Sequence, residues 1–229
     1  MSRTVSFCFD DGFRITAGKV WTLFAEHGVG ASFCVLAAPE LSVDPYIRGR
    51  PIADWGLWRE ASAAGHEVAP HGWAHERLGD LTLEAACAGI DRTLDAFGLE
   101  LPDFDPRAQI FHLAHLAAPQ GVVDHLATRV LGVRRGLGRG GLNVACERSP
   151  GGEVDCITFG DPADERLTAR IDRFLESEEG WLVLVLHGLD GEGWGPVSSR
   201  TLAGQVDRLL AGGVRIAPAG QVLREAIGS

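Results

Sequence analysis

Apolar residues cluster along this chain in short runs, separated by stretches in which they recur at helical spacing. Residues 5–9, 31–35, 67–69, 110–113 and 181–186 have strand length, the last reading WLVLVL. Further short strands are expected near Val133 and Ile157, and extended chain at 214–217. Helices are predicted over 16–27, 55–64, 83–97, 122–131, 163–176, 199–210 and 220–227; in the first, Val20, Leu23 and Phe24 share one face. Gly28, Gly65 and Gly98 stand where a helix end favours a residue that tolerates left-handed backbone. The stretch 132–159 is glycine-rich and carries the weakest pattern.

Strands that are apolar throughout are buried on both faces, and a helix after each makes the sheet parallel. Six or seven such units predict an α/β fold closed, or nearly closed, into a (β/α) barrel. An open doubly wound sheet is the alternative, but the turn after the first strand reads DDG and lacks the GxGxxG of a dinucleotide site. With no repeat, linker or low-complexity tract, residues 1–229 read as a single domain.

Composition narrows the partners. The chain is 45% hydrophobic and 23% charged, as globular domains are, and 21 Lys and Arg against 31 Asp and Glu leave a net charge of −10. That field repels phosphate backbones and anionic lipid, so neither nucleic acid nor a membrane is an expected partner. No apolar run approaches the ~20 residues of a membrane span. The amino-terminal MSRTVSFCFDDG does not read as a secretory signal, and the five cysteines (Cys8, Cys34, Cys87, Cys146, Cys156) include no CxxC pair. Reduced thiols and a cytoplasmic address are the expectation. Nothing in the pattern fixes an oligomeric state.

In a parallel barrel, chemistry gathers in the loops after the strands' carboxyl ends. Asp10 and Asp11 follow the first strand, His71 and His75 the third, and His187 the run 181–186. His71 and His75 are four apart; on a helical turn both rings project from one side, a spacing that chelates a divalent ion. Two adjacent carboxylates share a site only if the backbone turns, which Gly12 permits. The economical division puts one carboxylate on the metal and leaves the other free as a base. An Asp-His-His set leaves open positions on zinc or a similar ion. With His187 across the cleft to protonate a leaving group, the parts describe metal-assisted hydrolysis of an amide or ester.

The segments CFDDGF, GHEVAPHGWAH and LVLVLHG, in that order, resemble the first, second and fifth motifs of the polysaccharide deacetylases (carbohydrate esterase family 4), over about residues 4–225. The resemblance implies a distorted, seven-stranded (β/α) barrel that removes acetyl groups from N-acetylated sugars with a divalent metal. It implies Asp10 as general base, Asp11, His71 and His75 as metal ligands, and His187 as general acid. The family's third motif, R-x-P-Y-G, is matched with Ala117-Ala118-Pro119-Gln120-Gly121, which makes Pro119 and the backbone of Gln120 expected substrate contacts and leaves the arginine missing. Arg134, Arg135 or Asp161 is expected to orient the base in its place, and His115 is close enough in sequence to enter the site. Trp194 is an expected sugar-stacking residue; Trp73 could pack beneath the site instead. The expected substrate is a small or soluble N-acetylated amino sugar or oligosaccharide. A hydrolase of another C–N amide or cyclic imide, and a silent carbohydrate-binding domain, are the alternatives.

Overall fold

The computed structural model describes residues 3–143, 151–177 and 179–228. Cys146 lies outside them. The elements run β1 (Thr4–Asp10), α1 (Arg14–Glu26), β2 (Ser32–Val35), α2 (Trp55–Ala63), β3 (Glu67–Pro70), α3 (Leu83–Glu100), β4 (Ile110–His112) and α4 (Gln120–Ala127). The second half follows with β5 (Gly132–Arg135), β6 (Leu142–Asn143), β7 (Gly152–Asp155), β8 (Ile157–Thr158), α5 (Ala163–Ser177), β9 (Trp181–Leu186), α6 (Ser199–Ala211), β10 (Arg215–Ile216) and α7 (Ala219–Gly228). Side chains of Asp54, Thr82 and Ser198 accept the first free amides of α2, α3 and α6. Gly98, read as a helix stop, lies inside α3. The helix continues because Phe97 is anchored between Trp55 and Phe104, with ring centroids 5.0 and 5.3 Å away.

The strands form a distorted barrel in two sheets. β3, β2, β1, β9 and β8 pair in parallel in one; β4, β5 and β7 pair in parallel in the other. β7 and β8 are separated by Cys156 alone, so that one bent strand passes from sheet to sheet. Counted as one, it brings the barrel to seven strands. Short β6 lies antiparallel on β9, and β10 beside β1. No ladder joins β3 to β4 among the described residues; instead the His71 ring bridges this seam, Nδ1 donating to the His112 carbonyl oxygen at 2.8 Å.

Alternation along the strands sets what faces inward. Phe7 and Phe9 of β1 point outward and pack, with Phe33 and Trp58, against the helices; the Phe24 ring of α1 stands edge-on to both. Cys8 of β1 points into the barrel with Cys34, Ile110, Val183 and Val185, so small residues fill its middle. At the foot, the Trp181 indole donates to Ser6 Oγ at 2.9 Å, and Ser6 to the Ala217 carbonyl at 2.7 Å. The same alternation brings Asp10 and Arg134 inward near the opposite end.

Candidate active site

β1 ends in Asp10, and the chain then turns sharply. Asp11 and Gly12 are consecutive left-handed residues, with φ of 74° and 81°. A side chain at Gly12 would also crowd the Trp58 ring, 3.2 Å from an added Cβ. The turn lets neighbouring carboxylates serve one site, although strand geometry alone would put them on opposite faces.

Asp10 is locked by Arg134 of β5. The guanidinium donates from both terminal nitrogens, to Oδ1 at 2.9 Å and Oδ2 at 2.7 Å, and neither residue has more than 2% of its surface exposed. Burial pushes the Asp10 carboxyl up, but the Arg134 charge and hydrogen bonds and the nearby His71 hold it well below the usual carboxylate range. Of the three residues expected to orient this carboxylate, the structure selects Arg134. Arg135 instead faces Glu153 at 3.6 Å, and Asp161 is exposed.

Asp11 faces two imidazoles. Its Oδ1 lies 3.4 Å from His71 Nε2 and 3.5 Å from His75 Nε2. Asp11 Oδ1 and His71 Nε2 are buried with no hydrogen-bond partner. Buried polar atoms are nearly always satisfied, so two unpaired atoms aimed at one point fit a set of metal ligands. Ligands on a tetrahedral zinc with bonds of about 2.0–2.1 Å lie roughly 3.4 Å apart, and the spacing here fits. The two rings are fixed from behind: His71 by the His112 carbonyl, His75 by Asp44 Oδ2 at 3.0 Å from its Nδ1. Such partners set the tautomer that offers Nε2 to a metal.

The route to this trio differs from the helical turn read from the spacing. His71 closes the seam after β3, and residues 71–77 form no helix. Gly72 at φ 114° and His75 at φ 66° fold the loop back so that His75 meets His71.

His187 follows β9, its Nδ1 buried and unpartnered, and the Trp194 ring stands edge-on to it, centroids 5.2 Å apart. Asp10, Asp11, His71, His75, His187 and Trp194 line one cavity of about 450 Å3. Its other wall holds Asp44, Tyr46, Arg77, His115 and Leu116, of which only His115 was drawn from the sequence. The His115 ring lies tilted against His75, centroids 4.3 Å apart.

Pro119 and Gln120 do not line the cavity. Both are exposed at the start of α4, where the Gln120 amide donates to Asp124. They therefore lie away from the cavity where substrate contacts are expected, and the segment that enters it instead directly follows β4. Left-handed backbone at His115 and Leu116, φ 54° and 57°, turns it inward. Trp73 stacks under Arg92, 3.8 Å from its guanidinium carbon, and lines a separate cavity of about 250 Å3. Asp44 and Tyr46 were missed because a loop acid and a lone tyrosine carry no motif.

Residues 1–129 match the family described as polysaccharide deacetylase. That stretch holds Asp10, Asp11, His71 and His75 and ends before Arg134 and His187. Comparison with curated proteins finds no match. Among solved structures, the fold is similar to the Xyl-CE4 domain of a multidomain xylanase from the hindgut metagenome of Trinervitermes trinervoides, at 14% identity and TM-score 0.66, covering 98% of this chain and 91% of that one. A family 4 acetyl xylan esterase from Clostridium thermocellum, in complex with a cobalt ion, is 16% identical with TM-score 0.64, covering 97% and 91%. A CE4 family pseudoenzyme from Bacillus anthracis is 12% identical with TM-score 0.64, covering 97% and 66%. At such identities the likeness is one of fold, and it reaches catalysts and a pseudoenzyme alike.

Proposed function

The chain belongs to the polysaccharide deacetylase family, and from that premise we propose that it is a metal-dependent hydrolase that removes the N-acetyl group from a small or soluble N-acetylated amino sugar. One observation carries the reading: unsatisfied Asp11 and His71 atoms converge with His75 on one point, beside a second carboxylate that a buried arginine keeps ionised.

Asp11, His71 and His75 would hold the divalent ion, and zinc suits the mixed oxygen and nitrogen donors. When bound, such an ion acidifies water and polarises the acyl oxygen. Asp10 takes the proton of the attacking water. The Arg134 charge beside it keeps this carboxylate ionised and so able to accept a proton. Arg134 fixes its orientation through a bidentate pair of hydrogen bonds. His187 lies on the cavity wall toward β9 and gives a proton to the departing amine from Nε2, the nitrogen not enclosed by the protein. Trp194, beside it, offers a flat apolar face to the sugar. The reading places the protein in the cytoplasm, in keeping with free thiols at Cys8, Cys34 and Cys156.

A second reading keeps the scaffold but changes the scissile bond to another amide or a cyclic imide. It is favoured by the base-orienting arginine arriving from β5 rather than from the third motif. Acetate release from N-acetylglucosamine and its oligomers, set against turnover of cyclic ureides, separates the two. In the same assay Asp10→Asn is expected to retain the metal and lose about 10²–10⁴-fold in rate. Wild-type turnover by that variant, or activity that survives chelation, overturns the mechanism. Bound sugar with no turnover of any substrate would make the protein a silent binding domain.

A further inference from the structure

The wall of the cavity away from His187 has chemistry that hydrolysis does not use. His187 and Trp194 follow β9, on one side of β1. Tyr46, Arg77 and His115 lie in loops after β2, β3 and β4, on the other side. Each ionised lining group has an opposite charge or an imidazole facing it, with one exception. Asp10 is paired with Arg134, Asp11 faces His71 and His75, and Asp44 is held by His75. Arg77 is exposed, and among the described residues its guanidinium makes no hydrogen bond or ion pair.

Exposed arginines here are of two kinds: Arg14, Arg59, Arg208 and Arg215 are each paired with a carboxylate, whereas Arg48, Arg50 and Arg107 face solvent. Arg77 differs from both in lining the cavity that holds the Asp-His-His trio. Arg77 stands at the mouth with all five donors free. Its charge reaches inward: burial lowers the His115 imidazole below its ordinary range, and Arg77 lowers it further. The ring of Tyr46, 47% exposed, lines the same wall and offers a flat face to a bound molecule.

We propose that the substrate carries an anionic group, a carboxylate or a phosphate, that Arg77 binds on the Tyr46 side of the cavity. A guanidinium fork matches either oxyanion with paired, charge-assisted hydrogen bonds. The net charge of −10 opposes a polyanion, so a small molecule with one anionic group fits better than an acidic polymer. The inference rests on the reading above that this cavity receives the substrate, and it deepens that reading by naming the substrate's charge.

The test is calorimetric binding to the zinc-loaded protein of three probes: N-acetylglucosamine, N-acetylglucosamine 6-phosphate and N-acetylmuramic acid. The wild type should bind at least one anionic probe about tenfold or more tightly than the neutral sugar. The stronger of the two identifies phosphate or carboxylate. Arg77→Ala should bring the anionic-to-neutral ratio close to one, Arg77→Lys should keep part of it, and added salt should shrink it in the wild type. Equal or weaker binding of both anionic probes, or no binding of any probe, overturns the proposal. So does a preference that survives in Arg77→Ala, which would place the anion on the metal instead. Acetate release from the same probes is scored separately: an Arg77-dependent preference without acetate supports the anion site while refuting the deacetylase.

Discussion

The two ends of the barrel each bury a carboxylate beside a cavity, and they use it in opposite ways. At the foot, Glu67 Oε2 accepts the Ser32 hydroxyl at 2.6 Å and the Gly220 amide at 3.0 Å. Gly220 lies in the first turn of α7, where backbone amides and the helix dipole favour an anion. Glu67 thus ties β2, β3 and α7 together, beside a cavity of about 470 Å3 that it lines with His66, Gln109 and Arg224. Glu67 Oε1, like Asp11 Oδ1 at the mouth, is buried without a hydrogen bond, but Asp11 Oδ1 alone of the two faces imidazole nitrogens, at 3.4 and 3.5 Å. Cavity size does not separate the two ends. What separates them is whether several donor atoms converge on one point: among the described residues, Asp11, His71 and His75 do so at the mouth, and no such group forms around Glu67. A carboxylate that knits elements together is architecture; one left facing other metal-ligand atoms is a binding site.

The largest effect is expected where the mouth depends on a buried ion pair. Arg134→Met strands Asp10 without its counter-charge, so thermal or denaturant unfolding should show a loss of about 3–5 kcal/mol. The base also loses its aim, and turnover should fall by about 10²-fold or more. Pairing Arg134→Met with Asp10→Asn should recover much of the stability and none of the rate. Recovery of both would mean that Asp10 serves only as structure.

Asp44→Ala comes next. It frees the His75 ring without removing a ligand, and metal affinity in a competition assay with a chelator should drop about 10- to 100-fold. An unchanged affinity would show that Asp44 does not orient the ring.

The foot supplies the control. Glu67→Gln should lower stability by about 1–3 kcal/mol while metal content and kcat/KM stay close to wild type. A loss of metal on changing Glu67 would erase the contrast between the two ends.

The smallest effect belongs to the loop after His187. Asp190 receives Lys19 and both the hydroxyl and the backbone amide of Ser199, and these hydrogen bonds lower its carboxyl to about 2. A carboxyl depressed in the fold stabilises above its unfolded value near 3.9, and that contribution fades as pH falls toward 2. The group is exposed, so Asp190→Asn should cost only a few tenths of a kcal/mol at pH 7 and less at pH 2.5, read as melting temperatures. A difference that grew toward acid would reverse the sign and exclude this carboxylate as the source.

Much of the mouth was legible because its chemistry sits at strand ends. The runs 5–9 and 181–186 are apolar, so the first polar residues after them, Asp10, Asp11 and His187, had to emerge at a rim. Local pattern says least where the chain leaves regular structure. The His71–His75 spacing fits a helical turn, whereas Gly72 and a left-handed His75 build the same convergence from a loop. Pro119 is conspicuous in the sequence, yet it is the left-handed pair His115 and Leu116 that turns the chain into the cavity. Arg134 could be shortlisted but not chosen, since nothing local says which arginine of β5 points inward.

What the sequence determined alone is the inventory and its order: parallel strands buried on both faces, two carboxylates after the first, paired histidines after the third, and a histidine after the run 181–186. These follow from side-chain periodicity and solvent preference, which act over a few residues. Only the tertiary structure decided which atoms meet. Arg134 reaches an aspartate 124 positions away, and His71 closes a seam with a carbonyl 41 positions on. Barrel closure fixes both distances, and closure is a property of all the strands together.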